Sequence, residues 1–263
     1  MMRYTLITGG SSGIGYQFAR QSAERGENLI LVSNQLSALQ AVSESISKQY
    51  GVDVKILDTD LSAADAAERI YAFAASVGKV DNLVSNAGVL HFGKFLNTTD
   101  SYIDFITALH FTTPMKLCKL FARDMVARKS GRILIVSSMT AWTPYPTMSL
   151  YGSTKVALKS FAQSLWYELK EHNVTVTTLF PGAVDTPLYN LSDRPRMWLR
   201  ALGFMSTPEV IARKGLRAMR RGRRTLVPGL FTKIAVTACK ILPAVVILLV
   251  MKIPAVRRLL DRL

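Results

Sequence analysis

Short apolar runs alternate with longer segments of helical periodicity along most of this chain. The runs with strand character lie at residues 4–8, 29–33, 54–57, 82–85, 132–137, 174–180 and 225–227. Helix-favouring segments lie between them, at residues 11–25, 36–50, 63–77, 101–128 and 153–172. Apolar strands that alternate with helices are typical of a parallel sheet with helices on both faces. The pattern predicts one doubly wound, Rossmann-like α/β domain with about seven strands.

A glycine-rich turn follows the first predicted strand. It starts at Thr8, reads Thr-Gly-Gly-Ser-Ser-Gly-Ile-Gly, and leads into the first predicted helix. Glycines let the backbone turn tightly and approach a diphosphate, and the amides at the start of the helix supply donors and partial positive charge. The turn therefore predicts a dinucleotide site. Its residues are Gly9, Ser11, Ser12, Gly13, Ile14 and Gly15.

Three side chains in the middle of the chain have the spacing that hydride transfer to a carbonyl requires. Ser138 follows a predicted strand, Tyr151 comes thirteen positions later, and Lys155 lies four residues beyond Tyr151. A Tyr and a Lys four apart on a helix share one face. A phenol with a pKa near ~10 needs such a neighbouring cation to exchange protons at neutral pH. We therefore predict Tyr151 as proton donor, assisted by Lys155, with Ser138 binding the carbonyl oxygen.

These motifs together resemble those of the short-chain dehydrogenase/reductase family. The similarity covers roughly residues 3–190 and weakens towards residue 229. It implies that a nicotinamide dinucleotide lies along the sheet edge, with Lys155 also bonded to the nicotinamide ribose and Thr186 to the carboxamide. The other cofactor contacts that the resemblance implies are Asp60, Leu61, Asn86, Ala87, Gly88, Tyr151, Pro181, Gly182 and Val184.

The end of the second predicted strand carries no acidic residue. Ser33 and Asn34 stand where a carboxylate would bind the adenosine ribose 2′-hydroxyl and repel a 2′-phosphate. This absence favours NADP(H) over NAD(H), although no arginine is present at the same place. Both residues are also suitable caps for the helix that follows.

One position departs from the family pattern. The family places an Asn in the long fourth helix, where it supports a water chain that leads to the Lys, and this chain has His110 there. An imidazole can also hold water or relay protons, so His110 is a candidate relay; a structural histidine is the alternative. His91, in the loop after Gly88, either faces the substrate or is solvated.

Positive charge is concentrated at the C-terminal end of the chain. Residues 194–263 contain 16 Lys and Arg against two acidic residues, a balance of +14, whereas residues 1–193 contain 17 against 16, or +1. Within the basic part, residues 241–251 carry no charge but are too few to span a bilayer. The composition favours an anchor at an anionic membrane surface. An oligomer interface, or a helix packed across the pocket, is the alternative.

Nucleic acid is not a predicted partner. The Arg-rich stretch 217–224 lacks the interleaved aromatic residues of single-strand binding proteins, and no base-reading helix is evident.

A hydrophobic small molecule is the predicted substrate, because the basic apolar tail resembles that of lipid-acting family members such as 3-ketosphinganine reductases and long-chain 3-oxoacyl reductases. Five residues before Tyr151 either line an apolar pocket or pack their own loop. They are Met139, Trp142, Pro144, Tyr145 and Met148.

The predicted organisation has two parts. Residues 1–229 form the catalytic domain, with a lid at about 189–207, and residues 230–263 form the apolar, basic segment.

Cys118 and Cys239 lie in apolar surroundings without metal-ligand spacing, so no metal site is expected and a reducing compartment is indicated. No signal peptide precedes the first strand. We expect a cytoplasmic protein, bound peripherally to the inner membrane face and homo-oligomeric as in the family.

Three functions are compatible with the sequence. The leading hypothesis is an NADPH-dependent reductase of a ketone on a long-chain lipid such as a 3-ketosphinganine or a 3-oxoacyl chain. The second is a soluble dehydrogenase of small alcohols or ketones that uses its tail for assembly. The third is an NADP-sensing scaffold without turnover, which only the replacement at His110 supports.

Overall fold

The computed structural model describes residues 2–142, 144–186 and 205–241, together with Lys252. These parts contain a seven-stranded sheet in which each neighbouring pair of strands is parallel. The strands are β1 (Arg3–Thr8), β2 (Asn28–Ser33), β3 (Val54–Asp58), β4 (Lys79–Ser85), β5 (Gly131–Val136), β6 (Val174–Leu179) and β9 (Thr225–Leu226), in the spatial order β3-β2-β1-β4-β5-β6-β9. The predicted doubly wound fold is confirmed.

Helices cover both faces of this sheet. They are α1 (Gly13–Ala23), α2 (Leu36–Tyr50), α3 (Ala66–Val77), α4 (Asp100–Thr107), α5 (Thr113–Ala127), α6 (Ser149–Lys170), α7 (Pro208–Arg220) and α8 (Leu230–Ile241). Strand side chains alternate between the two layers: Leu6 of β1 packs into one core cluster and Ile7 into the other. Both side chains are fully buried. The near-continuous apolar strands of the sequence are the consequence of this two-sided burial.

The strand order places a crevice at the centre of the sheet. From β1 the chain builds outward to β2 and β3, then returns to β4 on the other side of β1 and continues outward to β5, β6 and β9. The connections that follow β1 and β4 therefore leave the sheet in opposite directions. A ligand cleft opens at the carboxyl ends of the strands at such a switch point.

Several elements differ from the sequence prediction. The helix expected over residues 101–128 is divided by a π-helical turn, Ala108–Thr112, between α4 and α5. Helix α6 begins at Ser149 instead of residue 153, so Tyr151 lies inside its first turn. A small parallel pair, β7 (Ala183–Val184) and β8 (Met205–Ser206), was not predicted. Two-residue strands leave no detectable pattern in a sequence, and a π turn has almost the same apolar spacing as an α-helix.

The C-terminal predictions are only partly covered by the structure. Residues 189–204 of the expected lid and most of residues 242–263 lie outside the described residues. The domain boundary at residue 229 therefore stays a prediction, and residues 230–241 are helical. Within the described parts of the chain, we find no helix with both the length and the apolar character needed to cross a membrane.

Candidate active site

A cavity of about 450 Å³ lies at the carboxyl ends of the central strands. Every predicted cofactor residue except Gly15 lines it, and so does Ser138. The residues come from the ends of β1, β2, β4, β5 and β6 and from the starts of α1 and α6. The fold thus brings together motifs that are up to 177 residues apart, from Gly9 to Thr186.

The glycine turn has the backbone that its sequence predicts. Gly9 and Gly13 have φ angles of +69° and +54°, in the left-handed region that favours glycine. Gly15 does not line the cavity because it packs against the turn: a Cβ atom there would lie 1.9 Å from the carbonyl oxygen of Gly9. The turn is held to the sheet by a 2.7 Å hydrogen bond from the Gly9 amide to the Val32 carbonyl.

Thr8 connects the glycine turn to the end of β4, and sequence reasoning missed this role. Its hydroxyl oxygen accepts hydrogen bonds from the backbone amides of Asn86 at 3.0 Å and Ala87 at 3.1 Å. The side-chain amide of Asn86 donates to the Thr8 carbonyl at 3.1 Å. The loop from Asn86 to Gly88 is therefore fixed against β1, at the switch point of the sheet.

The residues at the end of β2 form a neutral polar wall. The Ser11 hydroxyl donates to the side-chain oxygen of Gln35 at 3.1 Å and lies 3.0 Å from the Ser33 hydroxyl. Since the hydrogen of Ser11 is directed to Gln35, Ser33 is the donor of the second bond. Asn34 is exposed beside them. Asp60 is the only carboxylate among the described residues of the lining, and its Oδ1 accepts from the amide and hydroxyl of Ser62, each at 2.8 Å.

Ser138, Tyr151 and Lys155 all line the same cavity. They are 8%, 8% and 4% exposed. The Ser138 hydroxyl oxygen accepts a 3.2 Å hydrogen bond from the Thr140 amide, which leaves its own hydrogen to point elsewhere. Ser137, a lining residue that sequence reasoning missed, donates its hydroxyl to the Lys155 carbonyl at 2.9 Å. This bond ties the first turns of α6 to the end of β5.

Burial controls the charge of Lys155. Desolvation lowers the pKa of its ammonium from 10.5 to about 8, because a buried cation loses its hydration. The ammonium nitrogen lies 5.5 Å from the centroid of the Tyr151 ring. At neutral pH Lys155 is still mostly charged, and its charge lies close to the phenol of Tyr151.

His110 lies behind this centre, on the π-helical turn, and is fully buried. Its Nε2 accepts a 2.9 Å hydrogen bond from the Val89 amide, and its Nδ1 lies 3.1 Å from the Thr154 hydroxyl. That hydroxyl donates to the Tyr151 carbonyl at 2.8 Å, so Nδ1 must carry the hydrogen. Desolvation, and next the charge of Lys155, lower the pKa of His110 well below its usual value. The ring is therefore neutral.

The apolar part of the lining comes from residues that the sequence did not single out. Val89, Leu90, Phe105 and Leu109 line the cavity. The five residues before Tyr151, for which the sequence left pocket lining and loop packing both open, are absent from the described lining. Trp142 packs edge-on against Phe180 at 5.2 Å, with the Lys159 ammonium 4.2 Å from its ring centroid. These contacts are with α6 and with the residue that follows β6.

Two other predicted positions are placed as follows. Thr186 is buried, and its methyl group would lie 3.3 Å from a Cβ built on Gly13, so it faces the glycine turn across the cavity. His91 is not among the residues that line the cavity, and its ring packs against that of Tyr102 at an angle of 41°, with centroids 4.6 Å apart.

Helix α8 lies next to the cavity and has an apolar outer side. The buried side chain of Thr232 touches the cavity wall, because its hydroxyl would lie 2.5 Å from a Cβ built on Gly182. On the other side of the helix, Leu230 is 76% exposed and Ile234 is 57% exposed.

Comparison with known sequences places these motifs in one family. Residues 3–196 match the family of the short chain dehydrogenases. The chain is 35% identical over 191 residues to the uncharacterized oxidoreductase YmfI of Bacillus subtilis, covering 72% of this chain and 78% of that protein. It is 32% identical to human 17-beta-hydroxysteroid dehydrogenase type 3 and 35% identical to a very-long-chain 3-oxoacyl-CoA reductase of Vanderwaltozyma polyspora. These matches cover 72% and 70% of this chain but only 61% and 56% of those two proteins.

Solved structures agree with this placement. A short-chain dehydrogenase from Sphingobium yanoikuyae, solved in complex with NADPH, superposes with a TM-score of 0.79 at 25% identity and covers 90% of this chain and 92% of its own. A 7beta-hydroxysteroid dehydrogenase has the same fold, with a TM-score of 0.83 at 24% identity, and the match covers 89% and 90% of the two chains. These relatives are oxidoreductases that use a nicotinamide cofactor, which is the class expected for this chain. With its glycine turn and its Ser138, Tyr151 and Lys155 gathered at one cleft, the chain belongs to the short-chain dehydrogenase family.

Proposed function

We propose that this protein is an NADP(H)-dependent reductase that delivers a hydride and a proton to the ketone of a long-chain lipid. The observation that carries the proposal is that one cavity is lined by the glycine turn and by the side chains of Ser138, Tyr151 and Lys155. A dinucleotide site and a proton donor beside a buried cation are the two requirements of carbonyl reduction.

The residues of the cavity fit a nicotinamide dinucleotide. Gly9 and Gly13 line the cavity with a left-handed backbone that other residues rarely adopt, and the amides at the start of α1 would bind the diphosphate. When bound, the reduced nicotinamide supplies the hydride. Lys155 and Thr186 would hold its ribose and carboxamide, as the family resemblance implies, and both line the cavity.

Tyr151 is the proposed proton donor. Its phenol, with an ordinary pKa near ~10, holds its proton at neutral pH and gives it up more readily beside a cation. Lys155 supplies that charge, and its own pKa of about 8 keeps it mostly protonated under the same conditions. Ser138 would donate its hydroxyl hydrogen to the same substrate oxygen, since its bond with the Thr140 amide uses only an acceptor position of the hydroxyl. Such a donor stabilises the charge that develops on the oxygen.

The proposed role of His110 is to position the site. Both ring nitrogens are bonded to protein groups, the Val89 amide and the Thr154 hydroxyl. The ring therefore joins the loop that lines the cavity to the helix turn that carries Tyr151, and its edge packs against the Tyr151 ring at 5.6 Å. This arrangement favours the structural alternative over a proton relay.

Replacement of His110 by Leu distinguishes the two roles. We expect kcat to fall about tenfold with an unchanged pH profile, because the loop and the helix turn lose their common link. His110→Asn can replace one hydrogen bond and is expected to recover part of the rate. A relay would instead show a displaced pH profile in both variants.

Preference for NADP(H) is supported by the neutral wall at Ser11, Ser33 and Asn34. No carboxylate from the end of β2 lies there to repel a 2′-phosphate, and the exposed side-chain amide of Asn34 can donate to it. The NADPH complex of the related Sphingobium enzyme agrees with this preference.

A long-chain substrate is supported by the apolar wall and by the relatives. Val89, Leu90, Phe105 and Leu109 provide a surface for an alkyl chain next to the reaction centre. One relative is named for a very-long-chain 3-oxoacyl-CoA substrate and another for a hydroxysteroid. Apolar substrates of this kind gain free energy from burial of each methylene group, about 0.8 kcal/mol.

Substrate chain length tests this part of the proposal. NADPH oxidation is measured with a series of 3-keto acyl compounds of increasing length and with acetoin as a short, soluble ketone. We expect kcat/KM to rise with length, and Phe105→Ala to reduce the gain for the long members. Phe95→Ala is the control, since Phe95 is 51% exposed and does not line the cavity. A preference for acetoin would reject the lipid substrate, and NADPH binding without turnover on any carbonyl would support the scaffold.

The outer side of α8 is the proposed membrane contact. Leu230 and Ile234 present an apolar surface beside the cavity wall, and residues 241–251, next in sequence, are uncharged. An apolar helix face with nearby Lys and Arg binds at the boundary between headgroups and acyl chains. At this position a lipid substrate would have a short path to the cleft.

Ile234→Glu tests the membrane contact, with Thr237→Glu as a control of equal charge on the same helix. We expect Ile234→Glu to reduce co-sedimentation with phosphatidylcholine vesicles that contain phosphatidylglycerol, while acetoin reduction is unchanged. Thr237→Glu should reduce vesicle binding less, because Thr237, unlike Ile234, has no large apolar side chain to lose. If Ile234→Glu dissociates an oligomer in size-exclusion chromatography and leaves vesicle binding unchanged, the helix serves assembly instead.

A further inference from the structure

A second cavity, of about 300 Å³, is lined mainly by cationic side chains. Its described lining is Lys214, Arg217, Ala218, Arg221, Arg223 and Leu226, without a carboxylate. The reaction proposed above does not use it.

The end of helix α7 holds these cations in one place. Lys214, Arg217 and Arg221 follow one another at intervals of three and four residues, so they share a helix face. Gly222 then turns the chain with a φ angle of +62°, and its amide donates to the Met219 carbonyl at 3.0 Å. The Arg223 amide donates to the Ala218 carbonyl, also at 3.0 Å. This pair of bonds is a Schellman motif, which fixes Arg223 beside the helix face.

Within the part of the chain that the structure describes, no acidic residue compensates the positive charge of this cavity. Two other arginines of the same helix have acidic partners, Arg213 with Glu209 at 3.9 Å and Arg220 with Glu27 at 2.8 Å. The four cations of the cavity form no ion pair with any described residue. The C-terminal end of a helix offers a partial charge of only about −0.5, which cannot balance four cations. A concave wall also focuses their field.

This cavity is separate from the dinucleotide cleft. Gly222, in the turn that carries Arg223, lies against Thr175 near the start of β6, because a Cβ there would be 3.2 Å from the Thr175 methyl group. Among the described residues, the linings of this cavity and of the cleft have no member in common. A ligand of one site therefore does not enter the other.

We propose that this cavity is a binding site for a phosphate-bearing anion. Its volume corresponds to about ten water molecules, which accommodates a diphosphate group. Guanidinium groups bind phosphate oxygens through two parallel hydrogen bonds, and three of the four cations are arginines. The ligand is either a soluble phosphorylated molecule or the headgroup of an anionic lipid.

Pyrophosphate is the probe for the first test, measured by isothermal titration calorimetry on the full chain saturated with NADPH. Saturation prevents pyrophosphate from binding at the glycine turn. We expect Arg217→Gln/Arg221→Gln to weaken pyrophosphate binding at least about tenfold, because two charge-assisted contacts are lost. The control, Arg25→Gln/Arg213→Gln, removes two exposed cations that do not line the cavity and should change binding less than about twofold. Equal weakening in both variants would overturn the proposal, since pyrophosphate would then be attracted by the overall positive charge of the surface and not by this cavity.

Vesicles distinguish the two sources of the phosphate. Both variants are compared in co-sedimentation with phosphatidylcholine vesicles containing phosphatidic acid. If only the cavity variant loses vesicle binding, the ligand is a lipid headgroup. If vesicle binding is unchanged while pyrophosphate binding is lost, the ligand is soluble. If the cavity variant binds both probes like the unmodified protein, the site does not exist.

Discussion

The two ends of the cleft are built in different ways. At the dinucleotide end, Gly9 is bonded to Val32 of the neighbouring strand, and Thr8 fixes the loop after β4. At the substrate end, the wall is a loop and a helix, held by the His110 bond to Val89 and by a 2.9 Å bond from the Gly93 amide to the Thr147 carbonyl. The dinucleotide end is therefore formed by strands of the sheet and their turns. The substrate end is a loop and a helix that these two hydrogen bonds hold in place.

This difference separates the reaction from the choice of substrate. The groups that would perform the chemistry come from strand ends and from first helix turns, where packing on both sides restricts movement. The apolar wall comes from residues 89–90 and from α4 with its π turn. Loops can change in sequence without disturbing the strands that carry them. We therefore expect changes at the substrate end to alter specificity and changes at the other end to abolish turnover.

The largest effect is expected from Tyr151→Phe. Removal of the proton donor should reduce kcat by about 10³-fold, while the dissociation constant of NADPH changes less than about twofold. Single-turnover kinetics and a fluorescence titration measure the two quantities. Tyr167→Phe is the control, because Tyr167 is on the same helix but 62% exposed. A Tyr151→Phe protein within tenfold of normal activity would place the proton donor elsewhere.

Lys155→Met should stabilise the protein while inactivating it. The pKa of Lys155 is about 8 in the folded chain and 10.5 as its ordinary value, so below pH 8 the buried ammonium costs about 3 kcal/mol. Between pH 8 and pH 10.5 the unfolded chain holds more protons, so the stability of the unmodified protein rises with pH. Urea denaturation should show the advantage of the Met variant at pH 7 and its loss above pH 10.5. An exposed control, Lys48→Met, should show no such pH dependence.

Gly15→Ala tests the rigidity of the dinucleotide end. The new Cβ would lie 1.9 Å from the Gly9 carbonyl oxygen, a backbone atom that can move only with the whole turn. We expect the affinity for NADPH to fall about 100-fold, measured by calorimetry. Gly152→Ala, where no atom lies within 4 Å of the added Cβ, should leave binding unchanged and stabilise α6 by about 0.5–1 kcal/mol. If both variants bind NADPH normally, the glycine turn is not as rigid as this comparison of the two ends requires.

A smaller effect is expected at the adenosine side. Asn34→Asp places a carboxylate beside the neutral polar wall, and Asn34 is exposed, so folding should be unaffected. The ratio of kcat/KM for NADPH to that for NADH should fall about tenfold, because the new charge repels a 2′-phosphate and accepts from a 2′-hydroxyl. Asn34→Ala controls for the loss of the amide. An unchanged ratio would mean that the 2′-phosphate does not lie at this wall.

The sequence predicted the dinucleotide end better than the substrate end. Glycines at 9 and 13 are visible in a sequence because few other residues tolerate their φ angles. The role of Thr8 was not visible, since it depends on which strand lies next to β1. Tertiary packing also determines the substrate wall. Phe105 and Leu109 look like ordinary helix residues in the sequence but line the cavity, whereas Trp142, for which two roles were open, packs on Phe180.

The replacement at His110 shows a further limit of sequence reasoning. The resemblance identified the position as unusual but could not say which hydrogen bonds the imidazole would form. Those bonds depend on the π turn that carries His110 and on Thr154, which lies one turn of α6 after Tyr151. Neither a π turn nor a tautomer has a sequence signature of its own.

The pairing of β7 with β8 brings Val184 beside Ser206, so two positions 22 residues apart in sequence are neighbours in the fold. The two strands thus hold these positions together, next to Thr186. Any replacement for the segment between them has to begin and end at these two neighbouring strands. Exchanging residues 187–204 for the equivalent piece of another enzyme therefore tests whether the predicted lid region influences the choice of substrate.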